Sequence, residues 1–261
     1  MLPSHSVHGA DDAWPLVLIH GFPFSRAQWE PQIQPLARDY RVIAYDLRGH
    51  GTSPVGPGPL MIEFLVDDLI ELLDHHHIPR ATICGLSMGG YVALRAVDRH
   101  PDRVHGLILC DTRAGPDSSA GRLKRAEGIR AIRAHGMGAF ADKMLPALFG
   151  TEVAAAGGPA VTHIREIMAK TDPDGACQAL GAMAARLDLT DALPRIDTPT
   201  LVIVGEKDTL TPPTDARDMQ AAIPGAALVE LPGAGHVSNV ERPEPFNDAV
   251  GSFLHTLRPN P

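Results

Sequence analysis

At 261 residues the chain allows one large α/β domain, or one domain carrying an inserted subdomain. Apolar residues make up 44%, enough for a proper core, and the net charge of −8 with both signs interspersed argues against nucleic-acid binding. No run approaches the length of a membrane span, and Met1 to Asp12 has neither the basic patch nor the apolar stretch of a secretory signal, so a soluble cytoplasmic protein is expected.

In chain order, Pro15-Leu16-Val17-Leu18-Ile19-His20 is a continuous apolar run, as expected of a strand covered on both faces of a parallel sheet. It ends in the turn His20-Gly21-Phe22-Pro23. Ser25 then caps a helix expected to run through Trp29 and Ile33 to about Arg38. Arg41 to Asp46 is the next strand, followed by the glycine-rich loop Arg48-Gly49-His50-Gly51-Thr52-Ser53. From Met61 to about His76, Ile62, Leu65, Val66, Leu69, Leu72 and Leu73 recur at helical spacing.

Ala81 to Leu86 reads as a short buried strand, Ser87 as the tip of a sharp turn, and Met88 to Arg99 as a helix leaving at once. The pattern Gly85-Leu86-Ser87-Met88-Gly89 is common by chance, but strand–turn–helix is the context in which Gly-x-Ser-x-Gly presents a nucleophile. The flanking glycines let strand and helix pass closely, and the helix N-terminus offers free N–H groups beside the hydroxyl. Val104 to Cys110 is a further buried strand. Alternating strands and helices imply a doubly wound, mostly parallel sheet, whose sites form at the strands' carboxyl ends. His20, Asp46, Ser87 and Asp111 all fall there.

Between residues 114 and 195 no strand signal occurs. Helices are expected over about 122–135, 138–148, 160–170 and 174–186. One crossover rarely needs roughly eighty residues, so this stretch is read as a helical lid inserted into a core formed by 1–113 and 196–261. Strand signals resume at Pro199 to Gly205, leading into Glu206-Lys207-Asp208. A helix over about 213–222, a strand over 226–231, the loop Pro232-Gly233-Ala234-Gly235-His236 and a closing helix over about 243–257 complete the chain.

His20-Gly21-Phe22-Pro23, Asp46-Leu47-Arg48-Gly49-His50-Gly51-Thr52-Ser53, Gly85 to Gly90, Gly205-Glu206-Lys207-Asp208 and Gly233-Ala234-Gly235-His236 together carry a likeness. Over nearly its whole length the chain resembles the α/β-hydrolase superfamily, most of all the small bacterial esterases, enol-lactonases and carbon–carbon bond hydrolases with a helical cap. The family commonly opens with a β-hairpin. Too few residues precede Leu16 for two full strands, so a shortened sheet edge is expected.

Acyl transfer needs a nucleophile, a base, an acid that orients the base, and oxyanion donors. Ser87 fits the first, His236 in its flexible glycine loop the second, and Asp208 after a strand end the third. Ser…Asp…His is the chain order of this fold. Asp111 also follows a strand and is the rival acid, with a loop carboxylate bonding backbone N–H groups as its plainer reading. The backbone N–H of Met88 follows the nucleophile and is the first expected oxyanion donor; that of Phe22 rests on the resemblance. His20 is expected to order its loop by hydrogen bonds. Phe22, Phe24, Met88 and Val237 are candidate walls of an acyl pocket, with Phe140, Met144 and Leu148 above, although each would serve equally as core.

A small ester is the expected substrate. A lactone, a ring-cleavage product with a scissile carbon–carbon bond, a perhydrolase reaction and a ligand receptor on the same scaffold are the rivals. Serine at 87 argues against the branches with an aspartate nucleophile. No metal or organic cofactor is expected, and a monomer or homodimer is left open. Three cysteines form no disulfide framework or metal-type spacing, and Cys84 and Cys110 read as buried thiols. His75-His76-His77 reads as a solvated helix end, because adjacent helix positions diverge by about 100°.

Overall fold

Residues that are apolar at every position, such as Leu16 to Ile19, form strands that need cover on both faces. In the computed structural model, which describes residues 1–257, they do so within one seven-stranded sheet. The chain runs β1 (His5–His8), β2 (Pro15–Ile19), α1 (Glu30–Leu36), β3 (Arg41–Tyr45), α2 (Ile62–His75), β4 (Ala81–Leu86), α3 (Met88–Arg99) and β5 (Val104–Cys110). Four helices follow: α4 (Ser119–Met144), α5 (Thr151–Ala156), α6 (Pro159–Lys170) and α7 (Pro173–Ala184). The chain then returns through β6 (Thr200–Gly205), α8 (Pro213–Ala222), β7 (Ala227–Leu231), α9 (Ser238–Glu241) and α10 (Pro243–Thr256).

The strand order is β1-β3-β2-β4-β5-β6-β7, and every neighbouring pair is parallel except β1 with β3. Because side chains alternate across a strand, Val17, Ile19, Ile83 and Leu109 pack with α2 and α3 on one face. Leu16, Leu18, Cys84 and Ile108 pack with Trp29, Ile33, Phe246 and Val250 on the other. The apolar stripe expected on α2 is buried throughout.

Local differences from the sequence reading have local causes. The segment capped by Ser25 opens as a 3₁₀ turn (Arg26–Trp29), and the α-helix begins at Glu30. Pro31, which lacks an N–H, falls in the first turn of that helix, where no intrahelical donor is lost. The two helices expected over 122–135 and 138–148 are the two halves of α4, which meet at a non-helical break at Gly136 (φ 75°, ψ 175°), and only their outer ends differ. The six residues of α5 are too few to show a period. The shortened edge is present as the single strand β1, whose four residues His-Ser-Val-His give no alternating signal.

Helices α4 to α7 lie over the loops at the carboxyl ends of the strands. Thr171 Oγ1 donates to Pro23 O (2.8 Å), His163 Nε2 to Ala27 O (3.2 Å), and Val237 N to Leu148 O (3.0 Å). Among the described residues no helix is long and apolar enough to cross a membrane.

Candidate active site

The centre of the site is a backbone held in an uncommon conformation. Ser87 adopts φ 53°, ψ −110°, a region costly for a residue with a Cβ. Its surroundings over-determine that geometry. Ser87 N donates to Cys110 O (2.9 Å), while Ser87 O accepts from Gly90 N (2.9 Å) and the Thr112 hydroxyl (2.8 Å). A Cβ at Gly85 would stand 2.2 Å from Gly89 O, and one at Gly89 would stand 2.2 Å from Ile19 O. Only glycine lets β4, the turn and α3 approach β2 so closely. The result lifts the Ser87 side chain above the strand ends, partly exposed among buried neighbours.

Three loops then converge. The Ser87 hydroxyl donates to His236 Nε2 (2.9 Å), and His236 Nδ1–H donates to Asp208 Oδ2 (2.8 Å). Both partners are buried. Asp208 is itself fixed: Oδ1 accepts from Leu210 N (2.8 Å) and Thr211 N (3.0 Å), and the Thr211 hydroxyl donates to Oδ2 (2.6 Å). Burial alone would raise the Asp208 carboxyl, but the charge and hydrogen bond of His236 and the Thr211 donors outweigh it and hold its pKa below the usual value. Burial likewise works against a His236 imidazolium. The Asp208 charge and hydrogen bond win, so the His236 pKa lies above that of an ordinary histidine. Chemically, this arrangement can take a proton from the Ser87 hydroxyl and stabilise the imidazolium that results.

Asp111 stands nearby on the neighbouring strand end but has other partners. Its Oδ1 accepts from Gly205 N (2.8 Å), and its Oδ2 lies 2.5 Å from Ser238 Oγ. Burial, reinforced by the Asp208 charge, pushes its pKa up to about 8. Asp208, not Asp111, meets His236. Asp46, at the end of β3, ties loops together instead: it accepts from Arg26 N (2.8 Å) and Thr52 N (2.9 Å) and pairs with the Arg26 guanidinium.

Of the two expected oxyanion donors, Met88 opens α3 directly after Ser87 and Phe22 lies in the loop after β2, and both residues are buried. His20 orders that loop: its Nδ1–H donates to Gly21 O (2.7 Å) while Nε2 accepts from Leu47 N (2.9 Å). Burial lowers its pKa to about 4 and keeps the ring neutral. The candidate pocket residues fall in two apolar clusters, and Met144 packs against both. Phe22 and Phe140 pack edge to face at 6.0 Å, and Phe24, Leu148 and Val237 share one apolar cluster with Met144 against it. Thr211 and Ser238 escaped the sequence reading. A threonine three residues after Asp208 is a readable cue for a side chain that closes back on a carboxylate, whereas Ser238 has no such signal.

A seven-stranded, mostly parallel sheet with a strained serine between its central strand and the next helix is the architecture of an α/β hydrolase. Residues 15–243 match the family described as alpha/beta hydrolase fold, and the chain belongs to that family. It is 32% identical over 254 residues to 3-oxoadipate enol-lactonase 2 of Acinetobacter baylyi, covering 96% of this chain and 92% of that one. Among solved structures it is similar to a thermophilic esterase from Thermogutta terrifontis, with 37% identity, a TM-score of 0.94 and coverage of 98% and 94%. It is also similar to the enol-lactonase from Burkholderia xenovorans LB400, with 35% identity, a TM-score of 0.90 and coverage of 97% and 96%. The protein is a hydrolase of the enol-lactonase-like branch.

Proposed function

We propose that the protein is a serine hydrolase of small carboxylic esters acting through an acyl-enzyme, with Ser87 as nucleophile, His236 as base and Asp208 as the acid that orients it. The observation that carries this reading is the continuous hydrogen-bonded path from Ser87 Oγ through His236 to Asp208, at 2.9 and 2.8 Å. His236 takes the hydroxyl proton as Ser87 Oγ attacks the ester carbonyl. The N–H groups of Met88 and Phe22 hold the resulting oxyanion. His236 then gives its proton to the leaving alcohol, and a water activated by the same imidazole releases the acid. The core comprises 1–113 and 196–261, and residues 114–195 form a cap. Phe22, Phe24, Phe140, Met144, Leu148 and Val237 make an apolar wall suited to a short, uncharged acyl group.

A lactone is an internal ester and would react by the same steps. That second reading is favoured by the similarity to two enol-lactonases. The test is hydrolysis of p-nitrophenyl esters from acetate to palmitate, with a γ- or δ-lactone alongside, by the parent and by Ser87→Ala. Turnover of short esters that falls by about 10⁴-fold or more in the variant is expected. Turnover that survives the substitution would remove Ser87 from its role. Activity confined to the lactone would select the second reading, and none at all from folded protein would turn the scaffold towards a carbon–carbon substrate or a ligand receptor.

A further inference from the structure

The edge of the sheet holds a histidine cluster that the acyl-transfer chemistry does not use. His75 closes α2 and His76 caps it, and although adjacent helical positions diverge, the chain leaves the helix here and the two rings meet edge to face at 5.0 Å. The third member comes from elsewhere: β1 lays His5 across both rings, with centroids 4.8 Å from His76 and 6.0 Å from His75. One nitrogen from each ring lies within 4.8 Å of the other two. His77, left-handed at φ 54°, stands outside the group. Two strands, β3 and β2, separate β1 from the strand that carries Ser87.

The hydrogen bonds show which nitrogens are free for a ligand's role. His5 Nδ1–H donates to Pro3 O (2.8 Å), which leaves a lone pair on His5 Nε2. That nitrogen is 2.9 Å from His76 Nε2. In a metal-free chain the contact is an N–H···N bond, with His76 Nδ1 facing Arg41 Nη2 at 3.4 Å. A tetrahedral ion with bonds of about 2.0 Å would need its nitrogens about 3.3 Å apart, so about 0.4 Å of opening at the short pair and up to about 1.5 Å of closing towards the exposed His75 ring would admit it. The proton on His76 Nε2 would move to Nδ1, at the cost of the long Arg41 contact, and no redox partner is required. Arg41, which lies 3.8 Å from the exposed Asp11 carboxylate, is a cation set against the cluster.

We propose that His5, His75 and His76 form a binding site for a divalent transition metal, clipping the N-terminal edge strand to the end of α2. Three imidazoles with no carboxylate or thiolate select zinc, nickel or copper over magnesium or calcium. The exposed His75 side leaves a fourth position to water. Because the site joins β1 to the body of the fold, occupancy stabilises the chain without entering the ester reaction.

The experiment is calorimetric titration of the untagged chain with zinc chloride in a non-coordinating buffer, with melting followed in parallel. One zinc per chain is expected, with a Tm rise of about 5 °C at a hundredfold excess over Kd. His5→Gln and His76→Gln should each weaken binding at least tenfold and cut the rise by about half or more at the same zinc concentration, His77→Gln should leave both intact, and ester turnover should not change with zinc. Circular dichroism checks that His5→Gln folds; should it not, His76→Gln and the parent's stoichiometry decide. Absence of saturable binding, undiminished affinity in the folded His5→Gln and His76→Gln proteins, or an equal shift with magnesium would overturn the site.

Discussion

Asp111 and Asp208 end adjacent strands, and the difference between them is made by what surrounds each carboxyl. Asp208 is met by His236, the Thr211 hydroxyl and two backbone N–H groups, so its charge is solvated by the protein. Asp111 has Gly205 N–H and Ser238, is fully buried, and faces the Asp208 charge, which together bring its pKa to about 8. At neutral pH it is therefore a neutral acid in the folded chain. In the unfolded chain its pKa returns to about 3.9, so the native state holds the extra proton between these values. The associated stability is complete below about pH 4 and is lost as pH rises through about 8. Asp111→Asn, whose amide can accept from Gly205 and donate to Ser238, has no proton to lose. We expect its Tm to exceed that of the parent by a margin that widens from pH 5 to pH 9. Parallel Tm–pH curves for the two proteins would contradict the neutral carboxyl.

At the scale of elements, the close passage of β4, α3 and β2 sets the tolerance of the elbow. A methyl at Gly89 would press on two backbone oxygens, Ile19 O at 2.2 Å and His20 O at 2.8 Å, neither of which can move without shifting β2. Gly89→Ala should cost about 3 kcal/mol or more in urea denaturation. Gly181→Ala on α7, where an added Cβ meets nothing within 4 Å, should gain up to about 1 kcal/mol from helix propensity. Equal stability of the two variants would show that the elbow relaxes. The same distinction between local and non-local causes explains what was legible. The apolar strands, α2, α3 and α10 announce themselves through period and length. The Ser87 turn does so through glycine spacing, and the order of Ser87, Asp208 and His236 follows from strand ends. The strand β1 and the short α5 carry no such signal. The sequence reading takes Asp208 as the acid and Asp111 as its rival, and the hydrogen bond to His236 that distinguishes them depends on directions that two identical side chains cannot encode. The approach of His5 to His75 and His76 was hidden for the same reason, because it needs β1 first.

Across the whole molecule, the helical segment must be fastened to the sheet at the place where the chain leaves it. Arg186, just after α7, does this with one guanidinium. Its Nη1 donates to Asp117 Oδ1 (2.6 Å) and Met183 O (2.9 Å), its Nη2 to Gly115 O (2.8 Å), and the group lies 4.2 Å over the ring of Tyr91 on α3. Arg125 Nε joins Asp117 from α4 (3.0 Å). Four pieces of chain thus meet: the exit from β5, α4, the end of α7, and α3, the helix that follows Ser87. Burial would raise the Asp117 carboxyl, but its arginine partners outweigh that and hold its pKa below the usual value. An ammonium cannot reproduce this fork, so Arg186→Lys should also destabilise, though less than Arg186→Leu. The leucine leaves Asp117 with Arg125 alone in a half-buried place and removes two donors from backbone carbonyls. A loss of about 3 kcal/mol is expected. Limited proteolysis should then cut within residues 114–195 before it cuts the sheet, and KM for the ester substrate should rise more than kcat falls, since Ser87, His236 and Asp208 are held by other contacts. Stability within about 0.5 kcal/mol of the parent, or cleavage that begins in the sheet, would mean that the apolar contacts of Phe24, Leu148 and Val237 alone anchor the helices.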